Sequence, residues 1–173
     1  MNGVIPKLTI KTYPKEIHPF IIFIRKLYRI NKWVDLKKLE ISFDYQAKDV
    51  AGFYDPKCKH KIYINPSNCI NRVANTEFSQ PIILIHEFCH LIDSHLNIFE
   101  TWANTFQPIY LNPNSKRDRI EELAELLTVY LLDARIFRNN ISKPMHKFFK
   151  QYLKAPNKSN IVLPEAFKKH ISD

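Results

Sequence analysis

Residues 81–92 set a polar pentad, His86-Glu87-Phe88-Cys89-His90, inside an apolar run, with Pro81-Ile82-Ile83-Leu84-Ile85 before it and Leu91-Ile92 after it. A run of that length without a turn residue reads as a helix buried in the middle of a domain. On such a helix, positions four apart share a face, about 6 Å from one another. His86 and His90 therefore aim at a common point, and Glu87 lies beside it. Two imidazoles able to reach one divalent ion, with a carboxylate at the next position, make half of a tetrahedral metal site. A second element must then bring up the remaining ligand, because a catalytic zinc takes about three protein ligands and keeps one position for water.

Three places in the chain compete for that ligand. His95 lies five residues past His90, about 140° round a helix, and so points away from the ion. Asp93 follows His90 by three residues and shares the face of both histidines. A donor on the same helix reaches only one side of the ion, so Asp93 is expected to accept a hydrogen bond from a ligating histidine or to serve helix packing. The third place is the acidic run Arg119-Ile120-Glu121-Glu122-Leu123-Ala124-Glu125. Its apolar stripe, Ile120, Leu123, Ala124, Leu127, Tyr130, Leu131 and Ala134, repeats at three and four as a core-facing helix does. With Ile120 at the stripe centre, Glu121 falls about 100° away at the flank and Glu122 about 200° away, facing solvent. Glu121 is the better ligand, and Glu125, one turn further on, is placed to accept the free N–H of a ligating histidine.

These residues resemble the gluzincin metallopeptidases, which carry His-Glu-x-x-His on one helix and Glu-x-x-Ala-acid on the next long one. The resemblance covers roughly residues 50–135 and is nearest the small ImmA/IrrE-type and minimal gluzincins, with Glu at 125 and Cys at 89 as departures from their commonest patterns. It implies Zn2+ held by His86, His90 and Glu121, Glu87 as the general base for a metal-activated water, and Glu125 supporting the ligands. It also implies a zincin-like α+β fold: a small mixed or antiparallel sheet packed on an N-terminal helix, the motif helix and the glutamate helix. In such proteins an edge strand of the sheet receives an extended substrate, and either Ala51-Gly52-Phe53-Tyr54 or Ile62-Tyr63-Ile64 suits that role. An oxyanion-stabilising donor is expected as well, and spacing does not choose among Tyr130, His146, Tyr152 and His170.

Element by element, residues 7–13 alternate as a strand and Pro14 opens a helix to about residue 33. Residues 39–45 form a second strand, and 50–54 with 61–65 form a hairpin across Asp55-Pro56-Lys57. The motif helix spans about 76–96, a short helix 99–106 and the glutamate helix about 115–138, and residues 154–160 link to a last short helix. The chain length of 173 suits one domain. Residues 1–154 are expected to make the metallopeptidase domain and 155–173 a C-terminal extension packed on it.

Three cysteines without a Cys-x-x-Cys pair argue against a disulfide framework and a structural zinc cluster, and fit a reducing, cytoplasmic setting. The N-terminus lacks the order of a signal peptide, and no apolar run is long enough to span a bilayer, so no membrane partner is expected. Two glycines among many Ile, Lys, Asn and Phe point to AT-biased coding, as in a phage, virus or low-GC microbe; for a phage or virus the cytoplasm is that of the host. A formal charge of +9 leaves nucleic acid open as a partner, but the charges are spread and no nucleic-acid motif accompanies them. The reading is a zinc metalloendopeptidase acting on a protein or peptide, in the manner of a narrow regulatory protease. The alternative is a zincin-like zinc-binding module that regulates or contacts nucleic acid without cleaving.

Overall fold

The computed structural model describes residues 13–31, 39–43, 51–57, 61–65, 70–71, 76–77, 80–109, 111, 118–157 and 159–163. The expected strand at 7–13, apart from Tyr13, and the last short helix, beyond 163, lie outside them. Among the described residues the fold is α+β, with six helices and a small three-stranded sheet.

Pro14, with φ −51°, leads into a 3-10 turn, Lys15–Ile17, and helix α1, His18–Asn31. Ile17, Phe20, Ile21, Ile24 and Leu27 recur at three and four and are buried, so α1 lays one continuous apolar face on the core. Strands β1 (Glu40–Ser42), β2 (Gly52–Tyr54) and β3 (Lys61–Ile64) form a mixed sheet in the order β1-β3-β2. β1 runs parallel to β3 with Ile41 opposite Ile62, and β2 runs antiparallel to it with Phe53 opposite Tyr63. Alternation turns Gly52, Tyr54, Ile62 and Ile64 inward, while Phe53 and Tyr63 lie on the outer face with ring centroids 6.2 Å apart. A second, antiparallel ribbon, β4 (Ile70–Asn71) with β5 (Thr76–Glu77), was not anticipated. β5 takes the two residues assigned to the start of the motif helix.

That helix, α2, is Gln80–Leu96, with Pro81 tolerated in its first turn because no intrahelical donor is needed there. It ends where Asn97 adopts the left-handed conformation, φ 51°, and donates its N–H to Asp93 O at 2.7 Å. Asp93 Oδ1 accepts from the N–H groups of Ile98 (3.0 Å) and Phe99 (2.8 Å), which opens α3, Phe99–Thr105.

Helix α4, Arg119–Leu132, is capped by Asp118, which accepts from Ile120 N–H at 2.7 Å. It corrects the helical-wheel reading. Ile120, taken as the centre of the buried stripe, is 45% exposed, and Glu122, expected to face solvent, is 0% exposed. From Leu123 to Leu132 every residue of α4 is buried, so an apolar stripe cannot define one inward face. Its orientation is set at the N-terminal end by polar contacts to residues 106–109. Glu122 accepts from Ile109 N–H at 2.6 Å and pairs with Arg119 Nε at 3.3 Å. Arg119 donates to Phe106 O at 2.9 Å and lies over the Trp102 ring, 4.4 Å from its centroid.

The helix expected to run to about 138 stops at Leu132. Asp133 leaves helical geometry (φ −149°, ψ 86°) and its side chain accepts from Arg135 N–H and Ile136 N–H to begin α5, Ala134–Ile136. A π-turn, Phe137–Ile141, follows, and Ser142 caps α6, Lys143–Tyr152. Tyr130, Phe137 and Phe149 interlock there, with Tyr130 5.7 Å from Phe137 and 5.5 Å from Phe149. Leu153, Ile161 and Leu163 join the same core, and Asn160 Nδ2 donates to Pro19 O at 2.9 Å. Among the described residues no helix is long and apolar enough to cross a membrane.

If Glu122 sets the rotation of α4, removing its carboxylate leaves the Ile109 N–H without its acceptor and the partly buried Arg119 without its counter-ion. Glu122→Ala is expected to cost about 1–3 kcal/mol of unfolding free energy in urea titration. Ile120→Ala, on the exposed side, is expected to cost less than about 1 kcal/mol. Equal losses in the two variants would refute this account of the helix.

Candidate metal centre

α2 projects His86 and His90 one turn apart, their rings edge to face with centroids 5.0 Å apart. α4 crosses the same face and adds Glu121. Glu121 Oε2 is 3.0 Å from His86 Nε2, Glu121 Oε1 is 3.3 Å from His90 Nε2, and the two Nε2 atoms are 3.3 Å apart. One donor atom from each residue falls within 4.8 Å of the others. Bonds of about 2.0–2.1 Å in a tetrahedral zinc site put neighbouring donors roughly 3.3 Å apart. Glu121 meets the two imidazoles with different oxygens, so the cluster gathers the three donors on one side of a common point at spacings near those of such a site. Two imidazole nitrogens in that arrangement repel through their lone pairs unless a proton or a cation lies between them.

The helices approach closely because small groups meet between them. Cys89 Sγ lies 3.5 Å from Thr128 Oγ1, whose hydroxyl donates back to Ala124 O at 2.8 Å. Burial pushes the Cys89 thiol up to about 12, so it acts as a spacer and not as a nucleophile. Glu121 owes its direction to its neighbour: Glu122, anchored beneath residues 106–109, turns Glu121 toward the histidines.

Glu87 emerges from α2 toward β2. It is buried, which raises its carboxyl above the ordinary range, while the fields of His86 and His90 and a hydrogen bond from the Tyr54 backbone N–H pull the other way. Burial works to lower the basicity of His86, but the hydrogen bond to Glu121 and the fields of Glu87, Glu121 and Glu125 outweigh it and raise the pKa to about 9. Glu121 is held well below the usual carboxylate range by its hydrogen bonds to His86 and His90.

Glu125 lies buried one turn beyond Glu121 and acts on His86 through its charge. Asp93 spends Oδ1 on the α2–α3 corner, and burial raises its carboxyl against the pull of those two N–H groups and of His90. His95 is exposed near the end of α2, as its angle on the helix requires. Of the suggested oxyanion donors, Tyr130 gives its hydroxyl to Leu153 O at 2.9 Å, and His146 and Tyr152 pack on the rings of Tyr130 and Phe148. His170 lies outside the described residues. Sequence reasoning did not foresee the Tyr54 N–H or the Arg119–Glu122 clamp. The isolated Gly52, two residues before Tyr54, was the available signal for the first; the i,i+3 spacing of Arg119 and Glu122 was the signal for the second.

Compared with protein-family models, curated proteins and solved structures, the chain matches none, so the site is read from its own chemistry.

A histidine raised from 6.5 to about 9 stabilises the metal-free fold fully below pH 6.5, and this contribution is lost as pH rises through about 9. Glu121, shifted down, contributes above its ordinary pKa of 4.5, a contribution lost as pH falls below that value. The metal-free protein is therefore expected to gain most from this cluster between pH 4.5 and 6.5. Because the metal takes the neutral imidazole, uptake near pH 7.5 should release about one proton. Titration calorimetry in buffers of different ionisation enthalpy measures it, and release near zero would contradict the assigned state of His86.

Proposed function

We propose that the protein is a zinc-dependent peptidase of the gluzincin kind, with a zincin-like fold, acting on a protein or peptide. The observation that carries this reading is the triangle of His86, His90 and Glu121 donors with a buried carboxylate, Glu87, next to it in the chain. Two imidazoles and one carboxylate are a donor set that suits zinc, from residues that hold it while leaving a position for water. Bound there, zinc would supply Lewis acidity to the scissile carbonyl and make water a nucleophile at neutral pH.

The remaining work falls to the chain. Glu87 takes the proton of the attacking water and delivers it to the leaving amine, a role suited to a carboxyl raised by burial. Glu121 orients both imidazoles through its hydrogen bonds, and the charge of Glu125 acts on His86. β2 is an edge strand among the described residues, and its outward backbone groups other than the Tyr54 N–H offer an extended peptide sequence-independent pairing. The buried reduced Cys89 is compatible with a cytoplasmic enzyme.

One observation favours the binding alternative. Lys143, Lys147 and Lys150 lie along an exposed face of α6, a helix without an acidic residue, which would suit a phosphate backbone. In that reading, steeply salt-dependent nucleic-acid binding persists in Glu87→Gln and no peptide is cut.

Under the peptidase reading, Glu87→Gln retains one zinc per chain and loses cleavage by about 10³-fold or more, as expected for loss of the general base and the alignment it gives. His90→Ala loses the metal. Metal analysis paired with peptide cleavage decides it: undiminished hydrolysis by purified Glu87→Gln would defeat the reading.

A further inference from the structure

One of only two glycines in the chain, Gly52, lies in β2 against α2. A Cβ built on it would stand 2.7 Å from Ile83 Cγ2, 2.9 Å from Glu87 Cγ and 3.0 Å from Glu87 Oε1. Carbon atoms in good contact are about 3.5–4.0 Å apart, so a side chain here must displace Glu87 or lift β2 from α2. Ile83 gives way poorly, because its methyl branches at Cβ and moves only with the whole side chain. Gly52 has no positive φ, so its backbone conformation does not call for glycine. Space alone does.

The same strand grips Glu87 a second time. Asn65 N–H donates to Ala51 O at 2.8 Å, which makes those residues a hydrogen-bonded pair of the β2–β3 ladder. Antiparallel alternation then turns the N–H and C=O groups of Gly52 and Tyr54 away from β3. The Tyr54 N–H spends that freedom on the Glu87 carboxylate.

We infer that Gly52 is a positioning residue: by leaving no Cβ it lets β2 close on α2 until the Tyr54 amide can aim Glu87 across the face formed by His86, His90 and Glu121. This rests on Glu87 being the general base, and it assigns the orientation of that base to the edge strand itself. The strand expected to hold substrate and the group expected to activate water are thereby one mechanical unit.

The test is Gly52→Ala in the full, zinc-loaded chain, read in two ways. Hydrogen exchange at the Tyr54 amide should be slow in the wild type and about tenfold or more faster in Gly52→Ala and in Glu87→Ala, as for a hydrogen bond lost at an open edge. Peptide kcat should fall about 100-fold with KM and zinc content unchanged, the scale of a misplacement near 1 Å. A second variant, Gly52→Ala with Ile83→Ala, removes the Ile83 clash but keeps the one with Glu87. It should regain thermal stability while kcat stays low and the Tyr54 amide stays exposed, and it supplies the exchange readout if Gly52→Ala alone does not fold. A Tyr54 amide still protected in the variant that folds overturns the inference, as does recovery of kcat together with stability in the double variant. If the peptidase reading itself fails, because Glu87→Gln still cleaves or the wild type does not, the exchange measurement still decides the role of Gly52.

Discussion

The structure depends on α2 and α4 meeting with three donor atoms between them. Imidazole nitrogens 3.3 Å apart, one of them 3.0 Å from a carboxylate oxygen, are unstable company without a positive charge among them. In the metal-free chain a proton on His86 supplies it, and the hydrogen bond to Glu121 with the fields of Glu87, Glu121 and Glu125 raises that imidazole. A divalent cation would supply it better and expel the proton. The cluster is thus already paid for in packing terms by the apolar contacts of two helices that are buried for most of their length.

Accuracy at that crossing comes from outside it. A helix buried on all sides can rotate about its axis at modest cost in apolar burial, because every rotation hides a similar surface. Glu122 and Arg119 remove that freedom. Their hydrogen bonds to Ile109 N–H and Phe106 O engage directional partners that only one rotation satisfies. The neighbouring Glu121 is then carried round to the histidines as a consequence. On the other helix, Asp93 performs the comparable service by fixing the corner at which α2 must end.

This division explains what could be read from the residues and what could not. The motif helix was legible because its apolar run and its histidine spacing are local, and the hairpin of β2 and β3 because alternation flanked a Pro-containing turn. Glu121 stands beside the histidines, yet the wheel that favoured it had Ile120 and Glu122 on the wrong sides. The error is physical: polarity forecast exposure for Glu122, and its burial is made tolerable by an arginine one turn back on the same helix and by a tertiary partner, the amide 13 residues back. The end of α4 was missed for the opposite reason. Asp133 is both a stop and a cap, and apolar residues continuing past it, Ile136 and Phe137, mimic an unbroken stripe.

The two carboxylates nearest the histidines show how a single neighbourhood yields different chemistry. Glu121, partly exposed and bonded to two imidazoles, is held in its charged form and so is fit to bind a cation. Glu87, one residue from His86, is buried against the sheet, and desolvation raises it despite the same histidines. Sequence distance from the donors does not separate these roles; the dielectric each side chain enters does. Environments that push two acids in opposite directions are what a site needs if one is to stay ionised as a ligand and the other is to exchange a proton. β2 contributes to that separation by its close approach, which takes Glu87 out of water, while the hydrogen bond from its backbone pulls the other way and fixes the carboxylate's direction.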